Sequence, residues 1–514
     1  MKYFLTLIQL WVGFLPICAS YPKANIWIIP SVESPQVYRN YAQTSKVHLE
    51  MARGEVEHIQ LVFPSKVNEE YRFTFDRNLK GIQISARELK KMNGYYDALV
   101  PFKNQLKCTD TLTAVWITVQ CPSRVPVGKY HQTIKIEGSK HFTIQLDYNV
   151  HHTTIPLKSS IPITVGVENR CVAEGLNDKE ADKERQRWVD FVLSYRMTPV
   201  FGTQITPERW QYEHSFSPWA WNDKRSIRLL NDRRYSCYML PFFTLSENEL
   251  ASLLCNIQKK GKLKESLFYI WDEPAYMEDY EQIKQKVNII RKYASDARIL
   301  TTFFCGPRNG PRKGDLYAVF DYLKHHIHVA TISLAPCKGN EEEVQHIRYK
   351  VPEGIDWWSY VCWQPGGNEP NFLLQMKGIQ QRAIMWRTWK NGSQGFLYWN
   401  CNIYHKRNPF TYITDMPHGD GILIYPGDIL GRKGPIASAR LERWRDGAEE
   451  MELLRLVEKN YSKEKADTLL NIVYSSPLSF IEKAHNIPFF RKELLDQLDK
   501  TIPIDYKLRI TDFI

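Results

Sequence analysis

Between about residue 160 and residue 458 the chain alternates short apolar runs with longer segments of helical period, and no other feature constrains its fold as strongly. The apolar runs fall at 161–167, 199–204, 238–243, 266–271, 298–304, 327–333, 356–362 and 395–400. Helical period fills 178–195, 246–260, 278–294, 314–325, 340–348 and 372–391, and a further segment, 436–458, follows the last run. The connection 205–237 reads as irregular and tryptophan-rich. Eight strands alternating with helices predict a (β/α)8 TIM barrel. Strand count alone leaves a doubly wound sheet open as the alternative. From 460 onward the pattern stays helical, which predicts an extension packed on the barrel.

The segment before the barrel follows a different period. Glu57-His58-Ile59-Gln60-Leu61-Val62-Phe63, Ala114-Val115-Trp116-Ile117-Thr118-Val119 and Thr133-Ile134-Lys135-Ile136 are short β-type runs separated by turn residues such as Pro126-Val127-Gly128-Lys129. Strands at this spacing predict a β-sandwich over 21–157. Ahead of it, Met1-Lys2 is followed by an apolar stretch to Ile17 and small residues at Ala19 and Ser20. That order reads as a secretory signal peptide over 1–20. Leu15-Pro16-Ile17-Cys18 also loosely matches a lipobox, in which case lipid on Cys18 would anchor the protein to a membrane. The expected location is secreted, periplasmic or on the surface of a bacterial cell. The predicted order is therefore signal peptide 1–20, β-sandwich 21–157, barrel 158–459 and helical extension 460–514.

Composition narrows the function classes. The net charge is +11, but Lys and Arg are dispersed without a block of nucleic-acid type, so no nucleic-acid partner is expected. The ten cysteines form no Cys-x-x-Cys pair, which argues against a zinc cluster. Cys108 and Cys121 flank one strand and could pair. Aromatics make up 13% of the chain, with 15 Trp and 28 Tyr. Surplus rings of this kind either fill a β-rich core or line a cleft that stacks on sugar.

The chemistry-bearing constellation stands at the end of the fourth barrel run. Ser266-Leu267-Phe268-Tyr269-Ile270-Trp271 leads directly into Asp272-Glu273-Pro274. Catalysis in such barrels takes place at the C-terminal strand ends. Pro274 is expected to end the strand and to hold Glu273 extended. Glycoside cleavage needs an acid on the leaving oxygen and assistance at the anomeric carbon. Carboxylates adjacent in sequence suggest the variant in which the substrate's 2-acetamido oxygen attacks. One carboxylate then holds the acetamido N–H, and the other acts as acid and then base. Close carboxylates also raise each other's pKa, which keeps one protonated. The alternative is a solvated Asp-Glu-Pro turn.

These residues also carry a family resemblance. Phe268 to Pro274 resembles the catalytic Asp-Glu segment of glycoside hydrolase family 123 and its superfamily. Ala52-Arg53-Gly54-Glu55 and Val115 to Val119 resemble that family's N-terminal sandwich. Trp358-Ser359-Tyr360-Val361-Cys362 resembles its seventh strand, and Arg382 to Trp386 with Gly395 to Asn400 its eighth strand and the helix before it. Gly419-Asp420-Gly421, Tyr425-Pro426-Gly427 and Arg445-Asp446-Gly447 resemble its C-terminal signature. The resemblance implies a sandwich followed by a (β/α)8 barrel. It implies an exo-acting, retaining β-N-acetylgalactosaminidase on glycans or glycolipids, with Asp272 orienting the acetamido group and Glu273 as acid/base.

Further residues are expected to bind substrate. Tyr360 would hydrogen-bond the acetamido carbonyl. Trp358, Trp399 and Asn400 would supply a sugar platform and a hydroxyl contact, core packing being the alternative for Trp358. Asp420 would bind hydroxyls or, in a glycosidase of another sugar specificity, act as nucleophile. His325, His326 and His328 cluster, but at the wrong barrel end for catalysis and without acidic or cysteine ligands nearby, so no metal and no organic cofactor is expected. Arg440, Glu442, Arg445 and Asp446 read as ion pairs on a helix surface. A catalytically silent glycan-binding protein is the reading from a different functional class. Oligomeric state is not legible.

Overall fold

The computed structural model describes residues 25–76, 81–206, 211–404, 408–409 and 418–501. The expected signal peptide and Cys18 lie outside the described residues. Among those described, no helix is long and apolar enough to cross a membrane.

The fourth barrel strand, Ser266–Trp271, shows why this part of the chain folds as it does. Every second side chain faces the opposite way. Leu267 and Tyr269 therefore join the barrel interior, whereas Phe268 and Ile270 pack outward against helices. A strand buried on both faces needs a continuous apolar run, and that is its sequence. The same partition puts Trp358 and Tyr360 of the seventh strand (Asp356–Val361) and Leu397 of the eighth (Phe396–Tyr398) inside.

All eight predicted runs form parallel strands. They run in the spatial order second, first, eighth, seventh, sixth, fifth, fourth, third. The sheet departs from the expected closed ring in two ways. A ninth strand, Gln211–Ser215, pairs antiparallel with the second strand, Thr198–Thr206, in the connection read as irregular. Among the described residues no ladder joins the second strand to the third, Tyr238–Met239. The third strand is only two residues long, and Pro241 just beyond it has no N–H to extend a ladder. That seam is held instead by Thr198 Oγ1 to Ser236 Oγ (2.8 Å) and by Phe216 N–H donating to Met239 O (2.7 Å). The result is a nearly closed, barrel-like nine-stranded sheet ringed by helices.

The N-terminal unit is two five-stranded sheets with an apolar core between them, including Ile59, Leu61, Ile117, Ile134 and Leu146. The first sheet is sandwiched in turn. Val62 and Trp116 on its other face join the core shared with the barrel helices. Cys108 and Cys121 are both buried free thiols and do not form the expected pair. The extended strand Leu112–Cys121 lies between them and spans about 30 Å, far beyond disulfide reach.

The helix Ala439–Asn460 is the hub of the molecule and corrects the surface reading of its charges. Arg440, Glu442, Arg445 and Asp446 are all buried. Arg440 pairs with Asp97 of the sandwich, and Glu442 with Arg87, also of the sandwich. Gly447 lets the helix Gly378–Lys390 approach closely: a Cβ there would sit 2.2 Å from the Arg382 carbonyl. The helix Ile487–Asp499, the last among the described residues, packs against the hub and also reaches the sandwich. Arg491 pairs there with Glu55 and Glu57 (2.9 Å each), and Asp499 with His151 (2.9 Å).

Candidate active site

Asp272 and Glu273 emerge where the fourth strand meets the fifth, Arg298–Phe303. Between Tyr269 and Trp271 the pairing slips by one residue, so that Trp271 pairs with Thr301. The slip brings Asp272 beside Thr302. Asp272 Oδ1 accepts from both Tyr269 OH (2.7 Å) and Thr302 Oγ1 (2.7 Å). Among the described residues no hydrogen bond is made to its other oxygen. Glu273 N–H donates to Thr302 Oγ1 (2.9 Å), and Tyr360 OH donates to Glu273 Oε1.

Glu273 is not extended as the following proline suggested. Its φ is +44°, in the left-handed region, which costs a non-glycine residue about 1–3 kcal/mol. Bonds at both ends of the residue, to Thr302 and Tyr360, hold it there. Asp272 and Glu273 are both exposed residues. The protein packed around Glu273 and the neighbouring Asp272 charge push its carboxyl up to about 7, against the opposing Tyr360 bond and the Arg308 charge. Glu273 therefore keeps its proton well above the usual glutamate range and exchanges it near neutral pH.

Two depressions share Asp272 as a wall. The outer one, about 610 Å³, is lined by Asp272, Glu273, Trp271, Tyr276 and Phe243. The inner one, about 60 Å³, is lined by Asp272, Trp399, Asn400 and Leu397. Tyr212, His214 and Tyr269 border both. The unexpected ninth strand supplies two of these walls. Tyr212 and His214 face the cleft, while Glu213, on the other face, accepts from Phe242 and Thr244 backbone N–H groups (2.8 and 2.7 Å). His214 stacks on Tyr269 with centroids 4.3 Å apart and rings 9° from parallel. Burial holds its pKa down at about 3, so it stays neutral.

The other predicted residues divide. Tyr360 reaches Glu273, and Trp399 and Asn400 line the inner depression. Trp358 does not reach the cleft. It is 1% exposed, fills the barrel one layer beneath Tyr360, and its ring occupies the space a Cβ on Gly395 would need. Asp420 is also withdrawn behind the wall. It accepts from Trp399 Nε1 (3.0 Å) and Tyr398 OH (3.2 Å), and its burial pushes its pKa up to about 6. It holds the Trp399 indole in place. Among the described residues no group of three or more His, Cys, Asp or Glu is arranged to bind a metal. His328 accepts Ile299 N–H (3.2 Å) at the far end of the barrel.

Sequence reasoning did not single out Tyr212, His214, Tyr269 or Thr302. A signal existed for the first two in the alternation Tyr212-Glu213-His214-Ser215-Phe216. None existed for Thr302, whose partners are set by a register slip.

Residues 183–457 match the family model described as glycoside hydrolase 123, catalytic domain. Among solved structures, the chain superposes on a family 123 glycoside hydrolase from Clostridium perfringens, studied for glycolipid glycan hydrolysis. The TM-score is 0.64 at 13% identity, over 95% of this chain and 100% of that one. A GH2 β-galacturonidase from Eisenbergiella tayi superposes much more loosely, with a TM-score of 0.34 at 8% identity over 77% of this chain and 90% of that one. A GH5 xyloglucanase from Bacteroides ovatus gives 0.22 at 10% identity, over 79% and 98%. Neither of these two carries an argument. No curated protein sequence matches the chain.

Proposed function

The chain belongs to the glycoside hydrolase 123 family, and from that premise we propose that it is a retaining exo-β-N-acetylhexosaminidase, with N-acetylgalactosamine preferred, acting on glycans or glycolipids. One observation carries this reading. Two adjacent carboxylates at one strand end have different environments, Asp272 anchored as an acceptor through one oxygen and Glu273 raised to about 7.

In the proposed reaction the terminal sugar sits over the inner depression. The acetamido N–H donates to the free oxygen of Asp272, which builds electron density on the acetamido carbonyl oxygen. That oxygen attacks the anomeric carbon as the glycosidic bond breaks. Glu273 gives its proton to the leaving oxygen. In the second half the Glu273 carboxylate takes a proton from water, which opens the oxazolinium ring and restores the original configuration at the anomeric carbon. In this reading the sheet is an open-seamed variant of the (β/α)8 barrel. The reading needs no metal or cofactor and no nucleic-acid partner. On the strength of residues 1–20 it places the enzyme outside the bacterial cytoplasm, released or held by lipid on Cys18.

The test is hydrolysis of matched chromogenic β-GalNAc and β-Gal glycosides by purified protein. Cleavage of the acetamido sugar alone supports the reading. Equal cleavage of β-Gal rules out the acetamido oxygen as nucleophile, and cleavage of neither favours a binding role.

Tyr360 sets the pH range. Its single phenolic proton stabilises the charged form of Glu273 and so lowers that pKa. Tyr360→Phe removes this stabilisation, and the Glu273 pKa rises further. The acid then stays protonated to higher pH, so the alkaline limb of kcat/KM moves upward even as the maximum falls. A limb that stays in place, or moves to lower pH, contradicts the assignment of Glu273 as the acid.

A further inference from the structure

We propose that Thr302 is the positioning residue that fixes the two carboxylates relative to each other, an inference that rests on the reading of Asp272 and Glu273 just given. Its single hydroxyl serves both. It has one proton to donate and lone pairs to accept with. The proton goes to Asp272 Oδ1 at 2.7 Å, and a lone pair receives Glu273 N–H at 2.9 Å. Tyr269 OH spends its own proton on the same Asp272 oxygen at 2.7 Å, so its 3.1 Å approach to Thr302 carries no hydrogen. A directional chain therefore runs from the Glu273 backbone through Thr302 to Asp272. Each bond in such a chain polarises the next.

The chain joins the two unusual features of the site. The Glu273 φ of +44° is a conformation that neither glutamate nor a residue before proline adopts unaided. The backbone bond to Thr302 holds it. The same hydroxyl fixes Asp272 through Oδ1, so its other oxygen is the one presented to the acetamido N–H. Thr302 is 1% exposed and borders neither depression, so it acts only through the residues it holds. The register slip at Ile270 is what brings it within reach.

The test compares Thr302→Val, which keeps the shape and suits a strand, with Thr302→Ser, which restores the hydroxyl. On a β-GalNAc glycoside, kcat falls about 10- to 100-fold in the Val variant, as expected when reacting groups are misplaced. KM stays within about threefold, and Ser recovers most of the rate. A Val variant that turns over like wild type overturns the proposal, as does a Ser variant no better than Val. A crystal structure of Thr302→Val decides the same point without activity. Glu273 relaxing to negative φ, with Asp272 displaced, supports the role; Glu273 still at positive φ with Asp272 in place overturns it. Wild-type protein inert toward the acetamido glycoside would contradict the proposed function instead, while the crystal structure still decides the role of Thr302.

Discussion

Glu273→Gln lowers kcat/KM by about 10²–10⁴ on substrates with a sugar or alkyl leaving group, the range general acid catalysis contributes. An alkoxide leaves slowly without a proton, and Gln has none of comparable acidity to give. Raised to about 7, the Glu273 carboxyl keeps a large protonated fraction near neutral pH, where an ordinary glutamate is ionised, and so is suited to this task. The loss shrinks as the leaving group improves, because a dinitrophenolate departs unaided. Since kcat/KM reports the first irreversible step, it stays near wild type for a dinitrophenyl glycoside. In that case kcat falls, because no base activates water in the second step. Azide needs no base and restores turnover. A loss of the same size for every leaving group, or no loss at all, is incompatible with Glu273 as the acid.

Arg440→Met destabilises the protein by about 3–5 kcal/mol, the cost of breaking a buried ion pair by removing one partner. Arg440 is fully buried, and its guanidinium donors all have acceptors. Nε reaches both oxygens of Asp97 (3.1 and 3.0 Å), and Nη2 reaches Asp97 Oδ2 (2.9 Å) and Ile422 O (2.5 Å). Nη1 reaches the Phe372 and Gly419 carbonyls, both at 2.8 Å. Methionine fills the volume but leaves a carboxylate and the Phe372 and Ile422 carbonyls stranded away from water, while Gly419 O keeps the Ile422 N–H (3.2 Å). Among the described residues, only Tyr425 OH then still hydrogen-bonds the Asp97 side chain, at 2.5 Å. Urea unfolding should show a lower midpoint. Adding Asp97→Asn to Arg440→Met should recover part of the loss by removing the stranded charge. A loss below about 1 kcal/mol would mean that the network is solvated, as a surface ion pair would be. Gly419 borders Asp420, so the variant also loosens the clamp on Trp399.

The contrast between these two residues shows how far the sequence was legible. The fourth strand could be read because its burial is encoded locally, as six residues that suit both faces, followed at once by two carboxylates. The hub helix could not be read that way. It is charged on every face, a pattern that normally marks a solvated helix, and its partners lie far away in sequence. Asp97 is separated from Arg440 by 343 residues. Pairing at that distance leaves no local period. The two-residue third strand and the open seam were equally hidden, because an apolar run has the same appearance whether or not a neighbour bonds it. The Glu273 backbone went against the rule for residues before proline because a hydroxyl on the next strand holds it. Local propensity describes the isolated chain, and tertiary bonds override it at the site.

The central claim is that the substrate's acetamido oxygen is the nucleophile, steered by Asp272, with Glu273 as acid. The most direct measurement is kcat/KM for β-GalNAc glycosides that share one leaving group and carry N-acetyl, N-fluoroacetyl, N-difluoroacetyl and N-trifluoroacetyl groups. Each fluorine withdraws density from the attacking oxygen, so the account predicts a steep, steady fall across the series. A flat series would contradict it and would mean that a side chain of the protein, or water, attacks the anomeric carbon.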